Sequence, residues 1–184
     1  MDTTLHLMYS QEEVESRIRA LAAQISADYK GVTEENPLLA LCTLRGAVFF
    51  FTDLVRALTI PCEIDFLKVH SYAGGTRPAG APVFDLGEDI VLKDRHVLIV
   101  EDIIDTGATM DAMLDLFRMK DPADIRICSL LDKPDRRLPK YQDTIHADYL
   151  GFKIPDQFVI GWGLDYDGKY RLLKDIMYLE FHKD

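Results

Sequence analysis

Apolar residues recur along this chain in more than one rhythm, and each rhythm predicts a different element. Val14, Ile18, Leu21, Ala22 and Ile25 fall at helical spacing, so the segment after Ser10 predicts an amphipathic helix that packs on the body and ends at Gly31. Ser10 with Glu13 makes a capping-box pair at its start. Residues 38–43 and 62–69 read as strands, the second opened by Pro61. Between them, Arg45-Gly46 turns the chain into a helix carrying Phe49, Phe50, Leu54 and Leu58. Residues 97–100 are an unbroken apolar run, as expected of a parallel strand covered on both faces. A helix over 109–119 stops before Pro122, and a strand over 125–131 completes a right-handed strand–helix–strand unit. Short strands follow at 149–152, 159–162 and 176–181, and residues 83–86 and 90–92 predict a small hairpin.

This alternation predicts an α/β fold: a largely parallel twisted sheet flanked by helices, with a smaller cap. The 184 residues suit a single domain, and no repeat, low-complexity tract or linker divides them. Residues 71–82 hold three glycines and two prolines, which no helix or central strand tolerates, so a long mobile loop is expected there.

Composition narrows the function. The formal charge of −10 argues against an extended nucleic-acid surface, although small anionic ligands remain compatible with it. Cys42, Cys62 and Cys128 are far apart in apolar surroundings and read as buried free thiols. The five histidines show no metal-ligand spacing and read as surface or packing residues. No stretch is apolar enough to span a membrane, and the polar start does not resemble a secretory signal, so a cytoplasmic protein is expected. Neither a Gly-x-x-x-x-Gly-Lys-Ser/Thr loop nor a Gly-x-Gly-x-x-Gly turn after a strand is present.

The candidate chemistry follows the strand at 97–100. Glu101, Asp102 and Asp105 lead into Thr106-Gly107-Ala108-Thr109, a small-residue turn that opens a helix. Backbone N–H groups, hydroxyls and the positive helix end at this turn suit one phosphate. Carboxylates crowding an anion site need a cationic companion, either a divalent metal or a sugar that becomes cationic in its transition state. Phosphoribosyl pyrophosphate meets both conditions.

This segment resembles the phosphoribosyl pyrophosphate motif of the type I phosphoribosyltransferases, and further blocks from about Leu39 to Glu180 resemble the hypoxanthine-guanine phosphoribosyltransferase family. Leu44-Arg45-Gly46 is similar to its pyrophosphate loop, which can carry a cis peptide, and Ser71-Tyr72 to the start of its catalytic flap. Leu131-Asp132-Lys133-Pro134 is similar to its purine-reading loop, Phe158 to Tyr166 to its base-stacking and second-metal segment, and Tyr170-Arg171 to a late pyrophosphate contact. The resemblance implies the type I fold over residues 1–184, with a core at about 36–165, a flap at about 71–88 and a hood built from both terminal segments. It implies transfer of phosphoribose to hypoxanthine or guanine, with magnesium, two ions in the closed complex. Asp105 would be the catalytic acid near purine N7. Phosphoribosyl pyrophosphate would be held by Leu44, Arg45, Gly46, Ser71, Tyr72, Glu101, Asp102, Asp105, Thr106, Gly107, Ala108, Thr109 and Arg171. Ile103, Lys133, Phe158, Val159 and Asp165 would bind the purine, and Glu101, Asp102 and Asp165 the metal. A homodimer or homotetramer is also implied.

The chain departs from the pattern at Ala108, where some relatives carry Lys or Asn, at Trp162, often Tyr, and at Arg45, often Lys. Two alternatives stay open at this level: a xanthine-preferring enzyme, since one Lys cannot distinguish 6-oxopurines, and an RNA-binding regulator on the same fold.

Overall fold

The computed structural model describes residues 3–71, 82–86 and 90–182. Its strands are β1 (Thr3–Tyr9), β2 (Leu38–Leu44), β3 (Cys62–Ser71), β4 (Pro82–Leu86), β5 (His96–Ile104), β6 (Asp124–Asp132), β7 (Tyr149–Lys153), β8 (Phe158–Ile160) and β9 (Ile176–Phe181). Three α-helices accompany them: α1 (Gln11–Asp28), α2 (Val48–Ala57) and α3 (Ala108–Arg118). Six strands form one sheet in the order β4-β3-β2-β5-β6-β7, parallel except for β4.

The apolar runs lack a period because the sheet is buried on both faces. Leu38, Ala40 and Cys42 of β2, with Leu98 and Val100 of β5, join the core formed with α1 and α2. The intervening Leu39, Leu41, Val97 and Ile99 join a second core with Met110, Met113, Leu114 and Phe117 of α3. Each side chain buried in this way contributes roughly 2 kcal/mol of transfer free energy. The order reverses between β2 and β5, and the carboxyl ends of strands at such a reversal form a crevice.

The capping box forms as expected: Ser10 Oγ accepts from Glu13 N, and Ser10 N donates to Glu13 Oε2 at 2.8 Å. The expected hairpin does not form. β4 pairs antiparallel with β3, from Leu67 opposite Leu86 to Ser71 opposite Pro82. Leu92 instead turns inward and is buried in the α3-side core, so burial of an apolar plug outweighs strand pairing at residues 90–92. β5 runs on to Ile104, which places Glu101 and Asp102 within the strand rather than after it.

The cap is a separate three-stranded antiparallel sheet, β1-β9-β8. β1 escaped the sequence reading because it is only half buried and its partner lies at the other end of the chain: Leu5 stands opposite Leu179. Near the cap, β8 ends at Ile160, and Trp162 sits in the turn that follows, with a φ of 49°. Of the expected flap, residues 72–81 and 87–89 lie outside the described residues, Tyr72 among them. Cys42 and Cys128 are buried, Cys62 partly so, and all three are free thiols. Among the described residues no helix is long and apolar enough to cross a membrane.

α1 also covers the edge of the main sheet. Arg17 donates from Nε to Gly151 O at 3.0 Å and from its terminal nitrogen to Leu150 O, tying the helix to two consecutive carbonyls of the edge strand β7. Arg17→Met should lower unfolding free energy by about 1–2 kcal/mol, read as a lower urea midpoint at unchanged slope.

Candidate active site

β2 pairs with β5 as far as Cys42 opposite Val100, so the next residues bring Thr43 against the acids. Thr43 Oγ1 lies 3.0 Å from Val100 O and 2.9 Å from Glu101 Oε1, and the backbone N–H of Ile103 donates to Asp102 Oδ1 at 2.8 Å. The Leu44–Arg45 peptide beyond β2 is cis. Gly46 then packs directly on Asp102: a Cβ there would stand 1.5 Å from Asp102 Oδ2. On its other side, a Cβ on Gly163 would stand 2.0 Å from Gly46 O. Glycine at 46 thus leaves room for the Asp102 carboxylate, and glycine at 163 lets its backbone close on that of Gly46.

Two adjacent carboxylates in this crevice are poorly compensated. Burial, then the charge of Asp102, pushes the Glu101 carboxyl well above the ordinary range, and burial also raises Asp102. The described cation bearing on Asp102 is Arg171, which lowers it. Arg171 itself pairs with Asp165 at 2.7 Å and donates to Gly163 O at 2.6 Å. Asp165 also accepts from Gly168 N at 2.7 Å, so both of its oxygens are engaged.

The far wall is the turn into α3. Gly107 caps this helix in the left-handed region at a φ of 87°, and a Cβ there would press on Arg137 at 2.9 Å. The first turn of a helix leaves its N–H groups without helical partners; here Thr106 Oγ1 accepts from Ala108 N at 3.4 Å, and Thr106, Gly107 and Thr109 line the cleft. The cleft encloses about 350 Å³ between the acids, the Leu44–Gly46 loop, this turn and the Asp165–Arg171 pair.

A second cleft of about 630 Å³ adjoins the first, and Asp105 lines both. Lys133 lies against it, 7% exposed rather than a free loop lysine, with Nζ 3.9 Å from Asp156 Oδ1. Phe158 faces it, 41% exposed, steadied edge-on by Tyr166 and Phe181 at 5.3 and 5.9 Å between ring centroids. A flat ring can stack on such a face while Lys133 meets an acceptor on its edge.

Most of the residues singled out in the sequence converge here. Leu44, Arg45, Gly46, the three acids, Thr106, Gly107, Thr109 and Arg171 line the first cleft; Lys133 and Phe158 line the second. Ile103 and Asp165 line the first cleft rather than the second, Val159 is the buried middle residue of β8, and Ala108 packs on the α3-side core. Ser71 ends β3. Thr43, Arg136, Arg137 and Asp156 escaped the sequence reading. Nothing local marks Thr43, while the arginine pair beside Lys133 was visible but its partners lie in other segments. Among the described residues no three acids, histidines or cysteines form a preformed cage.

The raised carboxyls carry a stability consequence. A folded pKa above the unfolded one means that protonation favours the fold, so this contribution is present at low pH and lost as pH rises through the raised value. In ligand-free protein, Glu101→Gln should therefore have a higher Tm than wild type near about pH 8, the gap closing toward about pH 4. A thermal-shift series across pH checks this, and a lower Tm at high pH would refute the charge crowding.

The clefts can be set against known proteins. Residues 8–168 match the phosphoribosyl transferase domain model. The chain is 38% identical over 185 residues to hypoxanthine phosphoribosyltransferase of Buchnera aphidicola subsp. Schizaphis graminum, covering 100% of both. It is 38% identical over 173 residues to hypoxanthine-guanine-xanthine phosphoribosyltransferase of Tritrichomonas foetus, covering 94% of this chain and 90% of the other. The solved structure of Trypanosoma cruzi hypoxanthine phosphoribosyl transferase superposes with a TM-score of 0.85 at 37% identity, over 95% of this chain and 90% of that one. A match this extensive, on a fold whose strand-end acids and helix-opening turn form one crevice, means that the chain belongs to the phosphoribosyl transferase family.

Proposed function

We propose that this protein is a purine salvage enzyme. It transfers the phosphoribosyl group of phosphoribosyl pyrophosphate to hypoxanthine or guanine, giving IMP or GMP and pyrophosphate. The observation that carries this reading is the meeting of two clefts at Asp105: one suited to a sugar with its phosphates, the other to a flat base. Relatives named for hypoxanthine and guanine support the choice of base.

The geometry supports the following roles. The α3 turn, with the N–H groups and hydroxyls of Thr106 to Thr109, takes the 5′-phosphate. Glu101 and Asp102 take the ribose hydroxyls, and the backbone of Leu44–Gly46 with Arg171 takes the pyrophosphate. Lys133 donates to the purine 6-oxo group, and adenine would put its 6-amino donor against that ammonium. Phe158 stacks on the base. Asp105 accepts or shares the N7 proton as N9 forms its bond to C1′ and the bond from C1′ to pyrophosphate breaks.

The strand-end acids suit a hard divalent ion, because two adjacent carboxylates present hard oxygen donors to the first cleft, where burial first and the Asp102 charge second raise Glu101. Magnesium, when bound, neutralises the pyrophosphate and eases its departure. Glu101 and Asp102 would hold one ion, directly or through water, and Asp165 would assist a second. Incomplete protein cages are usual for magnesium, which takes much of its shell from phosphate and water. A cytoplasmic location and a homodimer or homotetramer belong to the same proposal.

With phosphoribosyl pyrophosphate and magnesium, nucleotide should form from hypoxanthine and guanine and not from adenine, with xanthine ranked in the same assay. Silence with all four bases, together with retained sugar-phosphate binding, would overturn the reading and turn the question to salt-sensitive RNA binding. Asp105→Asn should lower kcat by about a hundredfold or more with little change in the KM for phosphoribosyl pyrophosphate, and unchanged turnover would remove it as the proton acceptor.

A further inference from the structure

Two consecutive arginines grip one residue. Arg137 donates from Nη1 to the main-chain carbonyl of Asp105 at 2.7 Å, and its Nη2 pairs with the Asp132 carboxylate. Arg136 takes the side chain of the same residue, its Nε 3.1 Å from Asp105 Oδ1. These bonds differ in kind. Arg137 and Asp132 are buried and belong to the fold, whereas the Arg136 and Asp105 side chains are 47% and 41% exposed. An ion pair that open contributes little to stability, so its placement calls for another explanation.

Arg136 has a second partner. Its Nε lies 3.7 Å from Asp156 Oδ1, and the same oxygen lies 3.9 Å from Lys133 Nζ. Asp105, Arg136, Asp156 and Lys133 therefore alternate in sign along the rim of the base cleft that Phe158 also lines. A 6-oxopurine presents N7 and O6 side by side on one edge. The acid for N7 and the donor for O6 come from different strands, Asp105 after β5 and Lys133 after β6. Their separation is consequently a property of whatever links them.

We propose that Arg136 is a positioning residue for phosphoribosyl transfer, which fixes the Asp105 carboxylate and, through Asp156, the Lys133 ammonium so that both meet the same purine edge together. This rests on the base-cleft reading given above. Arg136 makes and breaks no bond in the reaction; it acts by limiting the orientations of two groups that do touch the base. Nε makes both contacts, a hydrogen bond to Asp105 and a longer charge contact to Asp156, and the rigid guanidinium plane gives the first a direction that a lysine ammonium controls less well.

The test is steady-state transfer to hypoxanthine by wild type, Arg136→Gln, Arg136→Lys and Asp156→Asn, with Tm measured on each. Arg136→Gln should lower kcat about tenfold while the KM for phosphoribosyl pyrophosphate stays within about twofold and Tm within about 2 °C. Arg136→Lys should recover part of that loss, and Asp156→Asn should raise the hypoxanthine KM with a smaller effect on kcat. Wild-type kcat in Arg136→Gln, or a loss that follows a falling Tm, would overturn the positioning role. Absence of transfer by the wild-type protein would instead overturn the functional reading beneath it, so the two failures are told apart by which protein shows them.

Discussion

Two neighbouring carboxylates held at the carboxyl end of β5 set the terms for the rest of the site. Glu101 and Asp102 lie where the sheet order reverses; burial raises both carboxyls, and the charge of Asp102 raises Glu101 further. Nearby features make room for them or brace them. Thr43 spends its hydroxyl on Glu101, and Ile103 N–H holds Asp102. Gly46 gives up its side chain so that the loop after β2 can lie on the Asp102 carboxylate, and Gly163 closes on Gly46 in turn. A site that keeps such charge in place without a ligand trades stability for readiness to bind a cationic or metal-associated partner.

The six-stranded sheet serves this arrangement by being rigid where the acids leave it. Both faces of β2 and β5 are buried, so the register that sets Thr43 beside Glu101 cannot slip without mispacking the two close-packed cores that their alternate side chains fill. The second cleft depends on a different device. The loop after β6 is tied back to β5 by Lys133 N–H on Ile104 O, by Leu138 N–H on Thr106 O and by Arg137 on Asp105 O. These bonds bring a lysine from one strand and an acid from the next to a common rim, opposite a stacking face supplied by the small cap sheet.

Local physics made much of this legible. The capping box at Ser10 and Glu13 and the apolar spacing of α1 act within a few residues, and both elements form where the pattern puts them. The unbroken apolar run at 97–100 announced a doubly covered strand, and the acids followed by a Thr-Gly-Ala-Thr turn marked the segment that lines the first cleft. The hairpin expected of residues 83–86 and 90–92 failed because strand pairing is decided by available edges. β3 offered one to β4, and the core below α3 claimed Leu92. β1 went unread because its half-exposed pattern acquires meaning only beside β9.

By itself, then, the sequence determined the class of fold and the crowding of acids ahead of a small-residue turn, since these rest on periodicity and on neighbours along the chain; the residues of the two clefts were implied by resemblance to a family. Only the tertiary structure decided that Lys133 is buried, that Asp165 lines the first cleft with Arg171, and that Arg136 and Arg137 divide the side chain and main chain of Asp105 between them. Those facts are distances between segments far apart in the chain, and such distances exist only once the sheet has set its register and the loops have closed over it.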